Sequence, residues 1–214
     1  IRKEFGDSDV SKKSVTGKKS PGTSPKTRAK ADVPNPTGLG TTVKFGSGSD
    51  AVVRRAVTSD VKEIKALVDY YTDDRRLLAK AIVTLYEDVQ EFVVAERSGG
   101  GLVACGALHV LWEDLAEVRT LAVAPEAVGQ GVGGAVLDAL ISRARRIGVS
   151  RVFCLTFECD FFTRHGFREI EGTPVSHDVF EQLLQSYDEG VAEFLDLERV
   201  KPNTLGNRRM LMTL

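Results

Sequence analysis

Residues 122–140 read "AVAPEAVGQGVGGAVLDAL", and this stretch decides the fold. It has glycines at positions 129, 131, 133 and 134, between an apolar run and an amphipathic segment. Glycine suits a backbone that must turn sharply out of a strand and into a helix. Successive N–H groups and the positive end of the helix dipole then point at one spot, which favours a pyrophosphate. The stretch predicts a phosphate-binding loop between a strand at 117–123 and a helix that begins near Gly133.

The residues around the glycines argue against two common phosphate loops. A nucleoside-triphosphate loop needs Lys and then Ser or Thr after its last glycine, whereas Ala135 and Val136 stand there. A dinucleotide loop follows the first strand of a βαβ unit, whereas strand 117–123 ends an antiparallel meander. A glycine-rich loop that binds no ligand is the remaining alternative.

The order of the other elements predicts a mixed sheet flanked by helices. A strand at 51–57 precedes a helix in which Asp60 is the expected N-cap and Glu63 completes a capping box. A second helix is expected over 75–90, where apolar residues recur at helical spacing. The sequence then predicts a meander over 91–125, a helix ending at Gly148, a buried strand over 150–157 and a short helix closed by Gly166.

The composition predicts one domain, residues 51–214, behind a disordered basic tail, residues 1–50. The chain has 214 residues, of which 42% are hydrophobic, enough for one sizeable core. Its first 50 residues carry 10 Lys and Arg against 5 Asp and Glu and have few large apolar side chains. No aromatic residue is interleaved with the basic ones between Lys12 and Lys30, so a passive tail is favoured over a nucleic-acid arm.

Cysteine usage and hydropathy narrow the remaining classes. Cys105, Cys154 and Cys159 have neither metal-ligand spacing nor an even count, so neither a metal site nor a disulfide framework is predicted. No apolar run approaches the roughly 20 residues that span a bilayer. We therefore expect a cytoplasmic protein with a small-molecule substrate and without a membrane or nucleic-acid partner, and leave a homo-oligomer open.

Two motifs in the expected order resemble one family. "QGVGGA" at 130–135 matches the pattern Q/R-x-x-G-x-G/A, and "FFTRHGF" at 161–167 follows one strand later. The pairing resembles the GNAT family of acyl-CoA N-acyltransferases over about residues 52–171. The resemblance implies the α/β GNAT fold, with a mixed, mostly antiparallel sheet flanked by helices, and acetyl-CoA as cosubstrate. It implies that the pyrophosphate lies on Gln130, Gly131, Val132, Gly133, Gly134 and Ala135, and that the pantetheine arm pairs with the backbone of Leu121, Ala122 and Val123.

A closer resemblance concerns the acceptor. "LLAKAIVTLYEDVQEF" at 77–92, "AEVRTLAVAP" at 116–125 and "SRVFCLTF" at 150–157 resemble the acetyltransferase domain of the N-acetylglutamate synthase family, especially its short bacterial form. That family acetylates the α-amine of glutamate, the first step of arginine biosynthesis. The implied activity is therefore amino-acid N-acetylation by direct attack of the amine on the thioester.

The same resemblance implies the site residues. An α-ammonium group must lose a proton before it attacks, and Glu117 matches the position of the base. Thr156 matches a hydroxyl that holds the proton-relay water, and Lys80 stands where the family expects an Arg that grips a substrate carboxylate. Leu78 and Thr120 would line the same pocket. Near the C-terminus "LGNRRMLM" departs from the family's R-x-S, with Arg208 in place of its Ser; Arg208, and alternatively Arg209 or Lys201, is expected to bind the substrate.

Other acceptors and another class of protein stay open at this point. Glutamine, a further amino acid, a polyamine or a protein amine would each suit the same fold. A polyamine would need an acidic pocket, and Lys80 argues against one. A sensor that binds acetyl-CoA without turnover is the alternative outside the enzymes, and the presence of Glu117 argues against it.

Overall fold

The computed structural model describes residues 40–45, 49–72, 77–200 and 206–214, and within these ranges eight strands form one sheet. The strands are β1 (Thr41–Phe45), β2 (Ser49–Arg55), β3 (Phe92–Arg97), β4 (Leu102–Trp112), β5 (Leu115–Val123), β6 (Arg151–Thr156), β7 (Arg168–Glu169) and β8 (Arg208–Thr213). The helices are α1 (Val61–Thr72), α2 (Ile82–Glu87), α3 (Val132–Arg146), α4 (Cys159–Arg164), α5 (His177–Leu183) and α6 (Glu189–Phe194). The strand order is β1-β2-β3-β4-β5-β6-β8-β7, and only β5 and β6 run parallel. The predicted mixed, mostly antiparallel sheet is confirmed.

Strand alternation divides the core between the two faces of this sheet. Helix α3 covers one face through Val136 and Leu140, which are fully buried. On the opposite face, α1 packs through Ile64. Further along that face α6 packs against β6, where the rings of Phe153 and Phe194 meet edge to face at 4.9 Å. The helices thus leave the middle of the sheet accessible between α1 and α6.

The two middle strands separate soon after they meet. β5 and β6 pair only over Leu115–Glu117 and Arg151–Phe153. Beyond Glu117 the described strands show no further pairing between β5 and β6. A wedge-shaped opening therefore divides the sheet, and the ends of both strands line it.

A β-bulge redirects β5 at the mouth of this opening. Thr120 and Leu121 together oppose the single residue Gly106 of β4. Thr120 has a φ of 57°, a conformation that costs a β-branched residue about 1–3 kcal/mol. Gly106 leaves room for the bulge, because a Cβ at this position would lie 3.0 Å from Leu121 Cδ1. Because the bulge inserts one residue, Ala122 faces the same side of the sheet as Arg119, where strict alternation would put it on the other side.

Two features differ from the expectations. The helix expected over 75–90 is the six-residue α2, preceded by extended backbone at Ala81. Leu85 is its only buried residue, so the apolar stripe that suggested a long helix does not pack as one. The expected tail of residues 1–50 overlaps β1, which pairs with β2 through an alternating Thr-Thr-Val-Lys-Phe segment. Residues 1–39 of that tail lie outside the described residues.

Candidate active site

Two cavities meet at the opening between β5 and β6. The first, of about 1090 Å³, is lined by the glycine loop, the end of β5, the end of β6 and α4. The second, of about 890 Å³, is lined by residues 77–81, by β5 and by the start of α6. Both cavities share Leu77, Val118, Arg119, Thr120 and Leu155. Two molecules, one in each cavity, can therefore meet beside Thr120.

The glycine loop forms one wall of the first cavity, and each glycine there has a physical reason. Gly129 and Gly131 have φ values of 77° and 82°, in the left-handed region that glycine tolerates best. Gly133 and Gly134 have close neighbours instead, because added Cβ atoms would lie 3.1 Å from Val123 Cγ2 and 3.0 Å from His165 Nε2. The loop leads into α3, whose first N–H groups have no partners within the helix. This shape and polarity suit a pyrophosphate.

The structure separates the predicted cofactor-binding residues into two groups. Those that line the first cavity are Leu121, Ala122, Val123, Gly131, Gly133, Gly134 and Ala135. The side chain of Gln130 turns back, and its Nε2 donates to the Glu126 carbonyl at 2.6 Å. Val132 is fully buried in the core beneath α3. These two residues therefore shape the loop rather than line the cavity.

Glu117 lies at the inner end of the opening and lines the second cavity. It is only 3% exposed, and its Oε2 has no hydrogen-bond partner among the described residues. A Cβ on Gly190 of α6 would lie 3.4 Å from this oxygen, so the glycine lets α6 cover the carboxyl group closely. Burial raises the pKa of Glu117 to about 7, although the charge of Arg119 opposes the shift. Glu117 can therefore take up a proton near neutral pH.

Arg119, which the sequence analysis did not single out, fixes the walls of the second cavity. Because side chains two apart on a strand share a face, it follows Glu117 toward the cavity. Its guanidinium, 8% exposed, donates to Asp188 at 2.8 Å and to Glu91 at 3.1 Å, and lies 3.4 Å from Asp88. Burial disfavours its charge, but the surrounding carboxylates raise its pKa above the usual value. Arg119 thus ties α6 and the segment after α2 to β5.

Three of the four predicted substrate-binding residues line the second cavity, namely Leu78, Lys80 and Thr120. Lys80 Nζ lies 3.8 Å from Asp88 Oδ2, so part of its charge is already compensated. Arg208 is different, because it is exposed and pairs with Glu169 at 2.9 Å, away from the cavity. Asn207 lines the cavity instead, and its Oδ1 is buried without a partner among the described residues. Neighbouring residues of an extended chain point to opposite sides, so one position separates a surface Arg from a cavity Asn.

Thr156 lines the first cavity rather than the second. Glu117 pairs with Phe153, and Thr156 stands three residues further on, so its side chain points to the other face of the sheet. Its Oγ1 accepts a hydrogen bond from the Glu158 N–H at 2.9 Å. The hydroxyl therefore shapes the turn that ends β6, on the side of the first cavity.

The second cavity is more acidic than the sequence suggested. Its acidic lining residues are Glu87, Asp88, Glu117, Asp188, Glu189 and Glu193, against the cations Lys80 and Arg119. Glu193 is 8% exposed, and no motif in the sequence pointed to it. The expectation that Lys80 makes this pocket unsuitable for a cationic group is therefore weakened.

A cavity walled by a glycine loop, adjoining a second cavity lined by a buried carboxyl group, is the arrangement expected of an acyl-CoA-dependent N-acyltransferase. The family model of the GNAT acetyltransferases matches residues 60–167. The amino-acid acetyltransferase of Mycobacterium tuberculosis is 61% identical over 165 residues, which cover 76% of this chain and 94% of that protein. An amino-acid acetyltransferase of Neisseria meningitidis is 32% identical over 61% of this chain, but only 30% of that protein is covered. This chain belongs to the GNAT acetyltransferase family.

Solved structures agree with this assignment. A Mycobacterium tuberculosis protein in complex with CoA and NLQ has a TM-score of 0.74 and 61% identity, covering 76% of this chain and 99% of that one. The N-acetylglutamate synthase of Neisseria gonorrhoeae, complexed with CoA and N-acetyl-glutamate, has a TM-score of 0.61 and 25% identity, covering 77% of this chain and 35% of that one. The predicted GNAT fold is confirmed, and the chain is an acetyltransferase that uses acetyl-CoA as its cosubstrate.

Two kinds of feature are absent from the residues that the structure describes. None of the helices there combines the length and apolar character needed to cross a bilayer. None of the His, Cys, Asp and Glu side chains in the same ranges form a group of three or more that could hold a metal ion.

Proposed function

We propose that this enzyme transfers the acetyl group of acetyl-CoA to the α-amine of glutamate. The observation that carries the proposal is the unpartnered, buried carboxyl group of Glu117, which lines the second cavity. On this proposal the first cavity is the cofactor cavity and the second is the acceptor cavity. The high identity to an amino-acid acetyltransferase and the fold shared with an N-acetylglutamate synthase support an amino acid as acceptor. On this proposal the enzyme acts in the cytoplasm, at the first step of arginine biosynthesis, with a homo-oligomer left open.

The residues divide the work between binding and proton transfer. The glycine loop and the first turn of α3 bind the pyrophosphate, and the backbone of Leu121–Val123 orients the pantetheine arm. Acetyl-CoA supplies the acetyl thioester. Glu117 accepts a proton from the substrate ammonium through water, and the free amine attacks the thioester. The N–H of Ala122 or Val123 stabilises the charge that develops on the carbonyl oxygen. Much of the rate comes from holding amine and thioester together.

Glutamine is a second candidate, and the charges of the acceptor cavity favour it. Arg119 is already bound by carboxylates, so Lys80 is the cation with most of its charge available among the described lining residues. It can hold one carboxylate of the acceptor. The buried Oδ1 of Asn207 needs a hydrogen-bond donor, which a side-chain amide has and a second carboxylate lacks.

The proposal is tested by thiol release from acetyl-CoA with glutamate, glutamine, aspartate and spermidine as acceptors. Wild type, Glu117→Gln and Lys80→Ala are compared. We expect turnover with glutamate or glutamine, a lower kcat for Glu117→Gln, and mainly a higher acceptor KM for Lys80→Ala. A preference for glutamine selects the second candidate. A preference for spermidine, or no turnover with any amino acid while CoA still binds, would contradict the proposal.

A further inference from the structure

Glu193 is a second buried carboxylate in the acceptor cavity. It lies on α6, is 8% exposed, and lines the same cavity as Glu117. Its carboxyl group has no hydrogen bond or ion pair among the described residues, whereas Asp88, Glu91 and Asp188 are all bound to Arg119. Its backbone carbonyl accepts from Arg209 Nη1 at 3.3 Å and from the Asp196 N–H at 3.1 Å. The backbone of α6 is therefore anchored at Glu193, whereas the carboxyl group of Glu193 has no partner among the described residues.

Two carboxylates that line one cavity repel each other when both are ionised, and neither forms an ion pair with a cation among the described residues. Burial, together with the negative charge of Glu117, raises the pKa of Glu193 to about 7. Such a pair is relieved either by holding one proton or by a cationic group of a ligand. The acceptor brings such a group, since an α-amino acid is an ammonium ion near neutral pH.

We propose that Glu193 and Glu117 together bind the α-ammonium group of the acceptor, with Glu193 as the positioning carboxylate and Glu117 as the base. This inference rests on the proposed function. It assigns Glu117 and Glu193 to the amine of the acceptor, and Lys80 to its carboxylate. An acceptor with a free ammonium group and one carboxylate then spans the cavity with each charge matched.

The proton balance of the reaction gives the pair a use. An ammonium group that becomes an amide loses two protons, of which one ends on the thiol of CoA and the other goes to solvent. Glu117 takes the first proton before the N–C bond forms and the C–S bond breaks. Glu193 holds the substrate nitrogen in place while that nitrogen loses its positive charge. One carboxylate can therefore change its protonation state while the other continues to hold the amine.

Other charged groups face the pair and set its titration. They are Arg119 and His109 on β5 and β4, Lys80 and Asp88 around α2, and Asp188 and Glu189 at the start of α6. The cations and His109 favour ionised carboxylates, whereas the acidic groups oppose them. The substitution Glu193→Gln alters none of these groups.

Binding of matched ligands to the enzyme loaded with CoA tests the proposal without turnover. L-Glutamate is compared with glutarate, and L-glutamine with glutaramate, because each pair differs only in the α-amine. We expect Glu193→Gln to weaken amino-acid binding by about tenfold or more, since a hydrogen bond to a charged group is lost. Binding of glutarate and glutaramate is expected to stay within about twofold. Equal weakening of both ligands of a pair would mean that Glu193 only shapes the cavity, and would overturn the proposal.

A second measurement keeps the test independent of the acceptor. Carboxyl NMR titration of glutamate-labelled enzyme should show the pair titrating in two coupled steps in the wild type. Glu193→Gln should leave a single step for Glu117, and the exposed Glu181→Gln should leave both steps unchanged. Two separate steps for Glu117 in Glu193→Gln would contradict the coupling.

If wild type binds neither amino acid while the titration shows the pair, the proposed function fails on its own. If it binds them with no loss in Glu193→Gln, the present inference fails on its own.

Discussion

The carboxyl group of Glu117 is needed for turnover but lowers the free energy of unfolding above neutral pH. Because its pKa is about 7, it is an ionised base only above that pH. We predict that wild-type kcat/KM falls as the pH is lowered below about 7, and that Glu117→Gln loses about 10²–10⁴-fold in kcat. The measurement is the pH profile of thiol release under conditions where CoA binding is unchanged. A profile that is flat from pH 5 to pH 8 would remove Glu117 as the base.

The same substitution should stabilise the protein. Folded Glu117 keeps its proton up to about pH 7, whereas an unfolded Glu loses it near pH 4.3. In that window the folded state binds more protons, so the free energy of unfolding falls as the pH rises. We predict that Glu117→Gln is more stable than wild type by about 1–3 kcal/mol at pH 8 and by much less at pH 5. Thermal unfolding at both pH values checks this, with Glu181→Gln as the control; an equal effect at both would contradict it.

The position of a residue in the second cavity could be predicted where it depends on neighbours along the chain. The family resemblance of residues 116–125 predicted Glu117 and Thr120 as site residues, and both line the second cavity. Arg208 is exposed whereas Asn207 lines the second cavity, a difference of one position that depends on the register of the last strand, which no local pattern sets. Glu193 was missed altogether. Its position depends on how α6 is anchored by the contact between Arg119 and Asp188, 69 residues apart in the sequence.

Among the elements, the glycine loop allows a test of CoA binding with a matched control variant. An Ala at position 131 meets no atom within 4 Å, so only its left-handed backbone is strained, by about 1–2 kcal/mol. We predict that Gly131→Ala lowers stability by that amount and weakens CoA binding severalfold. Gly172→Ala is the matched control, because Gly172 also has a positive φ of 67° and no neighbour within 4 Å, but lies outside the loop. Equal CoA binding by both variants would argue against the pyrophosphate cradle.

One residue, Asp188, both begins helix α6 and connects it to β5. Asp188 caps the helix by accepting from Val191 N–H at 2.9 Å, and it also accepts from Arg119. We predict that Asp188→Ala costs about 0.5–2 kcal/mol, increases hydrogen exchange over residues 189–197 and raises the acceptor KM, with CoA affinity unchanged. Ser176→Ala, which removes the cap of α5, should leave the KM unchanged. A loss of CoA affinity in Asp188→Ala would show that α6 acts on both cavities.

Element boundaries show where sequence patterns are sufficient. The meander and α3 were predicted well, because strand alternation and a glycine-bounded helix are local signals. The helix before the meander was predicted too long. Residues 77–81 line the acceptor cavity, and the Tyr71 carbonyl accepts a hydrogen bond from the Leu77 N–H at 3.2 Å. Such tertiary contacts override helical periodicity.

For the whole molecule, the cosubstrate should act as a structural ligand. It would contact β5 and the glycine loop on one side and β6 and α4 on the other, and these two parts of the sheet share only three paired positions. We predict that CoA at about 100 times its Kd adds about 2.7 kcal/mol and raises Tm by about 5–10 °C. A Gly131→Ala sample at the same CoA concentration should gain less. A Tm that does not change with CoA would rule out binding in the first cavity.

The separation of β5 from β6 also leaves an internal sheet edge. From Val118 to Val123, β5 has β4 on one side and, among the described strands, no partner on the other. Exposed edges of this kind are templates for pairing with a second chain, which leads to aggregation. One carbonyl in the stretch is already protected, since Tyr71 Oη donates to Val123 O at 2.5 Å. A bound pantetheine arm would cover much of the rest, so the cosubstrate that reacts with the acceptor would also keep concentrated enzyme in solution.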